Sequence, residues 1–123
     1  MMRQIVIRQL KDEHLPLPIV SSGGEARALL WPGMGSTQRS LHYIRLGPGQ
    51  ESVPLVHSTS EAVYFVMAGR GEVLDLDETK RFVLAERNTF FITPGTHYQI
   101  RALSDLVVVG GPCPPDLALY EQR

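Results

Sequence analysis

The chain has one cysteine, Cys113, one tryptophan and, in Lys11 and Lys80, only two lysines among 123 residues. A lone thiol forms no internal disulfide, so the fold rests on packing and hydrogen bonds and needs no oxidising compartment. Twelve basic against thirteen acidic residues leave a net charge of -1, and the arginines are scattered singly. Such a surface offers nothing to draw nucleic acid or an anionic membrane, and neither is expected as a partner. No apolar run approaches the roughly 18 residues of a membrane helix. The opening Met1-Met2-Arg3-Gln4-Ile5-Val6-Ile7-Arg8 carries charge inside its apolar run and no small-residue cleavage site, unlike a secretory signal. A cytoplasmic location is the expectation.

What remains is ordinary in bulk and informative in order. Hydrophobic residues at 43% and charged residues at 20% suit a globular protein, and the length suits one domain over residues 1–123 with a core of its own. Eleven glycines and nine prolines are spread along the whole chain and cut it into short apolar runs. No helical period survives that punctuation, which is the pattern of an all-β domain. Strands are expected at 5–8, 26–31, 39–46, 62–67, 72–76, 81–84, 89–92, 98–102 and 106–109. Residues 62–67 are apolar at both parities, as expected where one face lines an interior and the other packs on a second layer.

Ala68-Gly69-Arg70-Gly71 reads as a tight hairpin, since glycine reaches positive φ without penalty. The charged stretch 75–80 reads as a second turn. Residues 31–36 read as a mobile connection near one mouth of the fold, and Asp116, after Pro114-Pro115, as the start of a helical turn or two. Gly110-Gly111-Pro112 before Cys113 reads as a rigid, non-helical crossing. A reactive thiol needs a cation or helix N-terminus beside it, so Cys113 is assigned a structural role.

Two segments carry a resemblance. Val53-Pro54-Leu55-Val56-His57-Ser58-Thr59-Ser60-Glu61-Ala62-Val63-Tyr64-Phe65-Val66-Met67-Ala68-Gly69 follows Leu46-Gly47-Pro48-Gly49 and precedes Phe90-Phe91-Ile92-Thr93-Pro94-Gly95-Thr96-His97-Tyr98. Together these resemble the two signature motifs of the cupin family, antiparallel barrels whose interior often holds a divalent metal on three histidines and a glutamate. The resemblance implies an antiparallel double-stranded β-helix, or jelly-roll barrel. Anchored on Gly69, the family's ligand positions in the first motif fall on Leu55, His57 and Ala62. Anchored on Gly95, the histidine of the second falls on Tyr98, and His97 then points to the opposite face because strand side chains alternate.

Leucine and alanine cannot coordinate, so the expectation is a barrel with no metal and no cofactor that binds a small molecule. His57, Tyr98 and Tyr64 are its candidate ligand contacts, and His57 with a pocket tyrosine could serve as acid and base. Two alternatives stay open. A second motif shifted by one residue would bring His57, Glu61 and His97 together as two histidines and a carboxylate, a set suited to a metal-dependent oxygenase, isomerase or lyase. Otherwise the barrel is a structural or regulatory module filled by its own side chains. His42 is read as a surface or packing residue. Family members commonly dimerise through N-terminal strands, which implies a homodimer built on residues 3–10.

Overall fold

The computed structural model describes residues 3–21 and 23–121. Nine strands run through them: β1 (Leu15–Pro16), β2 (Glu25–Leu30), β3 (Leu41–Leu46), β4 (Glu61–Ala68), β5 (Gly71–Asp75), β6 (Lys80–Leu84), β7 (Thr89–Ile92), β8 (Tyr98–Ala102) and β9 (Leu106–Cys113). Helix is confined to two short 3-10 turns, Pro32–Met34 and Leu117–Tyr120. The strands form a six-stranded sheet, β1-β2-β3-β9-β4-β7, and a three-stranded sheet, β6-β5-β8, and every ladder is antiparallel.

The core lies between the sheets, on the even parity of β4. Ala62, Tyr64 and Val66 are buried, while Val63, Phe65 and Met67 face solvent. Facing rows continue the pattern: Ile44, Val108 and Val66 stand in register, as do His42, Gly110 and Tyr64. Ile44, Leu46, Val66 and Val108 are fully enclosed, each contributing roughly 1.5–3 kcal/mol by leaving water. The outer face of β4 has no second layer within the described residues, contrary to the reading of 62–67 as covered on both sides. Hydrophobic side chains there follow β propensity rather than burial.

The two sheets do not close into a barrel. On one side the stretch before β4 laces onto β8 through backbone hydrogen bonds, Leu55 N to Tyr98 O at 2.8 Å and Tyr98 N to Leu55 O at 2.9 Å. On the other side β7 and β6 are sheet edges, and a seam stands open between them.

Several expectations change. Residues 5–8 form no strand; Ile5 is 91% and Ile7 82% exposed, and they pair with none of the sheet edges. The short β1 was not anticipated because Pro16 interrupts it, and proline is tolerated on a sheet edge. Gly69 has φ 85°, but the turn it makes carries the chain from one sheet to the other instead of closing a paired hairpin. The stretch 75–80 is the true hairpin, joining β5 to β6, with Asp75 Oδ1 accepting from the amides of Asp77 and Glu78, both at 3.0 Å.

The Gly110-Gly111-Pro112 crossing is instead part of β9. Pro112 fits because pairing with β3 ends at Gly110, so its missing N–H falls where β9 has only β4 as a neighbour. Gly110, at φ 149°, is required by close approach: a Cβ there would lie 1.9 Å from Val63 O. Residues 31–36 fold around the first 3-10 turn, and Trp31 packs its ring 5.3 Å from that of Tyr120.

Candidate functional site

His57 sits in the connection between the lacing stretch and β4, its backbone carbonyl held by the amide of Gly95 at 2.8 Å. That bond ties the turn before β8 to His57, and the imidazole is carried inward, 3% exposed. Its Nε2 lies 2.7 Å from the Tyr98 hydroxyl and its Nδ1 2.8 Å from Asp116 Oδ2. Tyr98 Oη lies in turn 2.8 Å from the Tyr64 hydroxyl. Tyr64 is fixed by stacking on Phe90, ring centroids 5.0 Å apart.

The partners dictate where the hydrogens go. A carboxylate only accepts, so His57 Nδ1 carries a hydrogen toward Asp116 and Nε2 of the neutral ring is an acceptor. Tyr98 therefore donates to Nε2, and Tyr64 donates to Tyr98. Burial pushes the Tyr64 phenol up to about 12. Burial, with the Tyr64 phenol beside it, pushes Tyr98 well above the ordinary phenol range. Both hydroxyls thus keep their protons, and Tyr98 is suited to passing a proton on rather than to holding a charge.

A second pair lies at the same end. His42, completely buried, meets the Tyr120 hydroxyl through Nε2 at 2.7 Å, while its Nδ1 has no hydrogen-bond partner. Burial, and then the nearby His57, push its pKa down to about 4. Of the two readings of His42, surface or packing residue, the structure gives the second: it is packed in the interior against Tyr120. Its parity was readable: His42 alternates with Ile44 and Leu46, and Arg45 marks the outer face.

Both pairs are gripped by the C-terminal turn. Asp116 caps it through Oδ1, 3.3 Å from the amide of Ala118, and spends its other oxygen on His57. Tyr120 closes over His42. The sequence marks Asp116 only as a helix start, because no spacing rule reaches a partner 59 residues away.

The ligand positions of the family do not fit a metal here. Leu55 and Ala62 are buried without a donor atom, and both nitrogens of His57 are engaged. The alternative set is not assembled: Glu61 lies on the exposed parity of β4, and His97 faces out, its Nδ1 3.0 Å from Asp77 Oδ2. Among the described residues no three His, Cys, Asp or Glu side chains gather as a metal-holding group. Cys113 ends β9 opposite Glu61, its Sγ 3.9 Å from Ser40 O.

A cavity of about 470 Å³ occupies the open seam, walled by Val73, Phe82, Leu84, Phe90 and Ile92, with Tyr98 also on its lining. Of the hydroxyl and imidazole groups in the chain Asp116–His57–Tyr98–Tyr64, Tyr98 alone belongs to a residue that lines it. The interior around both histidines is filled by the chain's own C-terminal turn, whereas the seam is not.

No family model matches the chain, and no curated protein does. Solved structures do. A predicted oxalate decarboxylase of Thermotoga maritima superposes with a TM-score of 0.69 at 21% identity, over 89% of this chain and 98% of that one. An RmlC-like cupin of Shewanella frigidimarina gives 0.69 at 16%, over 93% and 96%. Ectoine synthase of P. lautus gives 0.72 at 16%, over 90% and 79%. Identities this low establish the fold alone: a cupin-like jelly roll of two antiparallel sheets.

Proposed function

We propose that this protein binds a small organic molecule in the seam cavity and that Tyr98 connects the bound molecule to an acid–base relay through His57 and Asp116. The observation that carries the reading is the unbroken hydrogen-bond chain from Asp116 to Tyr64 with Tyr98 on the cavity lining. The cavity falls within the few hundred Å³ usual for ligand sites. Two of the similar structures, a predicted oxalate decarboxylase and an ectoine synthase, are named for small-molecule chemistry, which supports the same class.

The chemistry follows from the direction of the bonds. A ligand O–H or acidic C–H gives its proton to Tyr98 Oη as the proton of Tyr98 passes to His57 Nε2. The products are a ligand anion and an imidazolium whose Nδ1–H remains on the Asp116 carboxylate, which offsets its charge. Return of the proton by the same path to a different atom of the ligand completes an isomerisation or tautomerisation. The side chains of Tyr98, His57 and Asp116 supply every proton position.

The test is a fragment set containing acids, bases and uncharged molecules, titrated into protein labelled with ¹⁵N at amides and histidine side chains. At least one fragment is expected to move the amides of β6 and β7 together with His57 Nε2, the latter response disappearing in Tyr98→Phe. If no fragment moves those strands, or if they move with His57 unaffected, the reading fails. We also propose a second copy of this chain as the partner of residues 3–10, because Ile5 and Ile7 stand almost fully in water at a cost that association would remove.

A further inference from the structure

We infer that the seam cavity takes an uncharged, planar aromatic molecule carrying a hydroxyl, in preference to a carboxylate, a phosphate or a sugar nucleotide. This rests on the small-molecule reading above and names the chemistry of its ligand.

Parity is the first argument. Phe82 lies directly across from Val73, and Val73 from Ile100; the latter two are buried, so all three point inward. Yet Phe82 is 53% exposed. In the same way Phe90 stands in register with buried Tyr64 and is itself only half-buried. In a closed barrel these rings would be covered. Here they flank an empty volume, and a flat aromatic ligand between them would regain burial at roughly 25 cal/mol per Å² together with ring–ring contact.

Charge is the second. Among the described residues no lysine, arginine or histidine lines the cavity, and the one charged residue that does is Asp75, a carboxylate. The two cations of β6, Lys80 and Arg81, line a separate depression and pair with Glu78 at 3.2 Å and Glu72 at 3.8 Å. An anion in the seam would lose its hydration beside a like charge with no cation to replace it.

The polar groups supply the hydroxyl. Tyr98 is fully buried and its hydrogen is committed to His57 Nε2, so a ligand that reaches its hydroxyl meets an acceptor and must bring the hydrogen. Asn88 accepts the Ala85 amide through Oδ1 at 2.8 Å, which leaves its NH₂ to donate to a second acceptor on the ligand, away from Tyr98.

The test uses a matched pair, 2-naphthol and 2-naphthoate, titrated at neutral pH into the full ¹⁵N-labelled chain. The naphthol should shift β6 and β7 amides saturably, with a Kd about tenfold or more below that of the naphthoate. Phe82→Ala, a half-exposed position whose folding is checked by circular dichroism, should weaken the naphthol about fivefold. Equal or tighter binding of the naphthoate overturns the ligand class while leaving the cavity as a site. Silence of both naphthalenes where other fragments bind also overturns the class. Silence of both probes and of the whole fragment set overturns the class and the small-molecule reading together.

Discussion

Acidification should destabilise this protein through His42. The imidazole is completely enclosed, with the Tyr120 hydroxyl on Nε2, Gly111 beside Nδ1, and His57 and Asp116 acting on it electrostatically. Its pKa is pushed from 6.5 to about 4. Between those values the unfolded chain binds a proton at this residue and the folded chain does not, so stability rises with pH there and is lost as pH falls from 6.5 toward 4. The full loss is about 3 kcal/mol, of which about 2 kcal/mol is spent between about pH 7.5 and about pH 5.

Urea unfolding provides the assay, with fluorescence from Trp31, the sole tryptophan, which packs on Tyr120 and so reports on this cluster. Comparison with His42→Gln isolates the residue, because glutamine does not titrate and can still bond Tyr120. The wild-type advantage over the variant should shrink by about 2 kcal/mol across that range. Parallel stability curves for the two proteins, or a folded-state His42 titration midpoint near 6.5 by NMR, would refute the reasoning.

Three further outcomes are expected. Gly110→Ala places a methyl against the Val63 carbonyl in a backbone conformation closed to alanine, and should cost about 4 kcal/mol or more; a melting temperature within a few degrees of wild type would show that β4 and β9 are not so closely locked. Asp116→Asn can keep the cap on Ala118 but no longer requires the hydrogen on His57 Nδ1, so side-chain ¹⁵N shifts should change from a single Nδ1–H tautomer to a mixture. An unchanged pattern would remove Asp116 as the positioning residue. At micromolar concentration sedimentation should give a dimer, and the Ile5→Ser, Ile7→Ser double variant a monomer; a monomeric wild type would discard that interface.

The inner face of β4 was legible because Gly69 counts back to Ala62 and His57, and alternation carries Tyr64 and Val66 with Ala62. The inward Tyr98 and outward His97 followed from Gly95 in the same way. These are short-range regularities. What failed needed a partner distant in the chain: His57 with Asp116, 59 residues apart, and His42 with Tyr120, 78 apart. The extension of β9 through Gly110 and Pro112 was hidden for a related reason, since both residues discourage strands in isolation and become acceptable only when β3 stops short and Tyr64 crowds the backbone. The open seam was also invisible, because an inward parity says where a side chain points and nothing about whether another strand will cover it.

That contrast separates two ends of the molecule. At one, the turn from Asp116 to Tyr120 fills the interior and fixes both histidines, so the imidazole that could move a proton is shut away from water. At the other, β6 and β7 leave Phe82 and Phe90 uncovered. Tyr98 is on β8, which the lacing stretch holds by backbone hydrogen bonds through Leu55, and its side chain is the link between the two ends. A ligand at the seam would therefore meet a group whose own proton is already directed at His57. Removing the Tyr98 hydroxyl cuts that link, so Tyr98→Phe should silence the response of His57 to a ligand and cost the ligand hydroxyl its acceptor, while the contacts of the ligand with Phe82 and Phe90 persist.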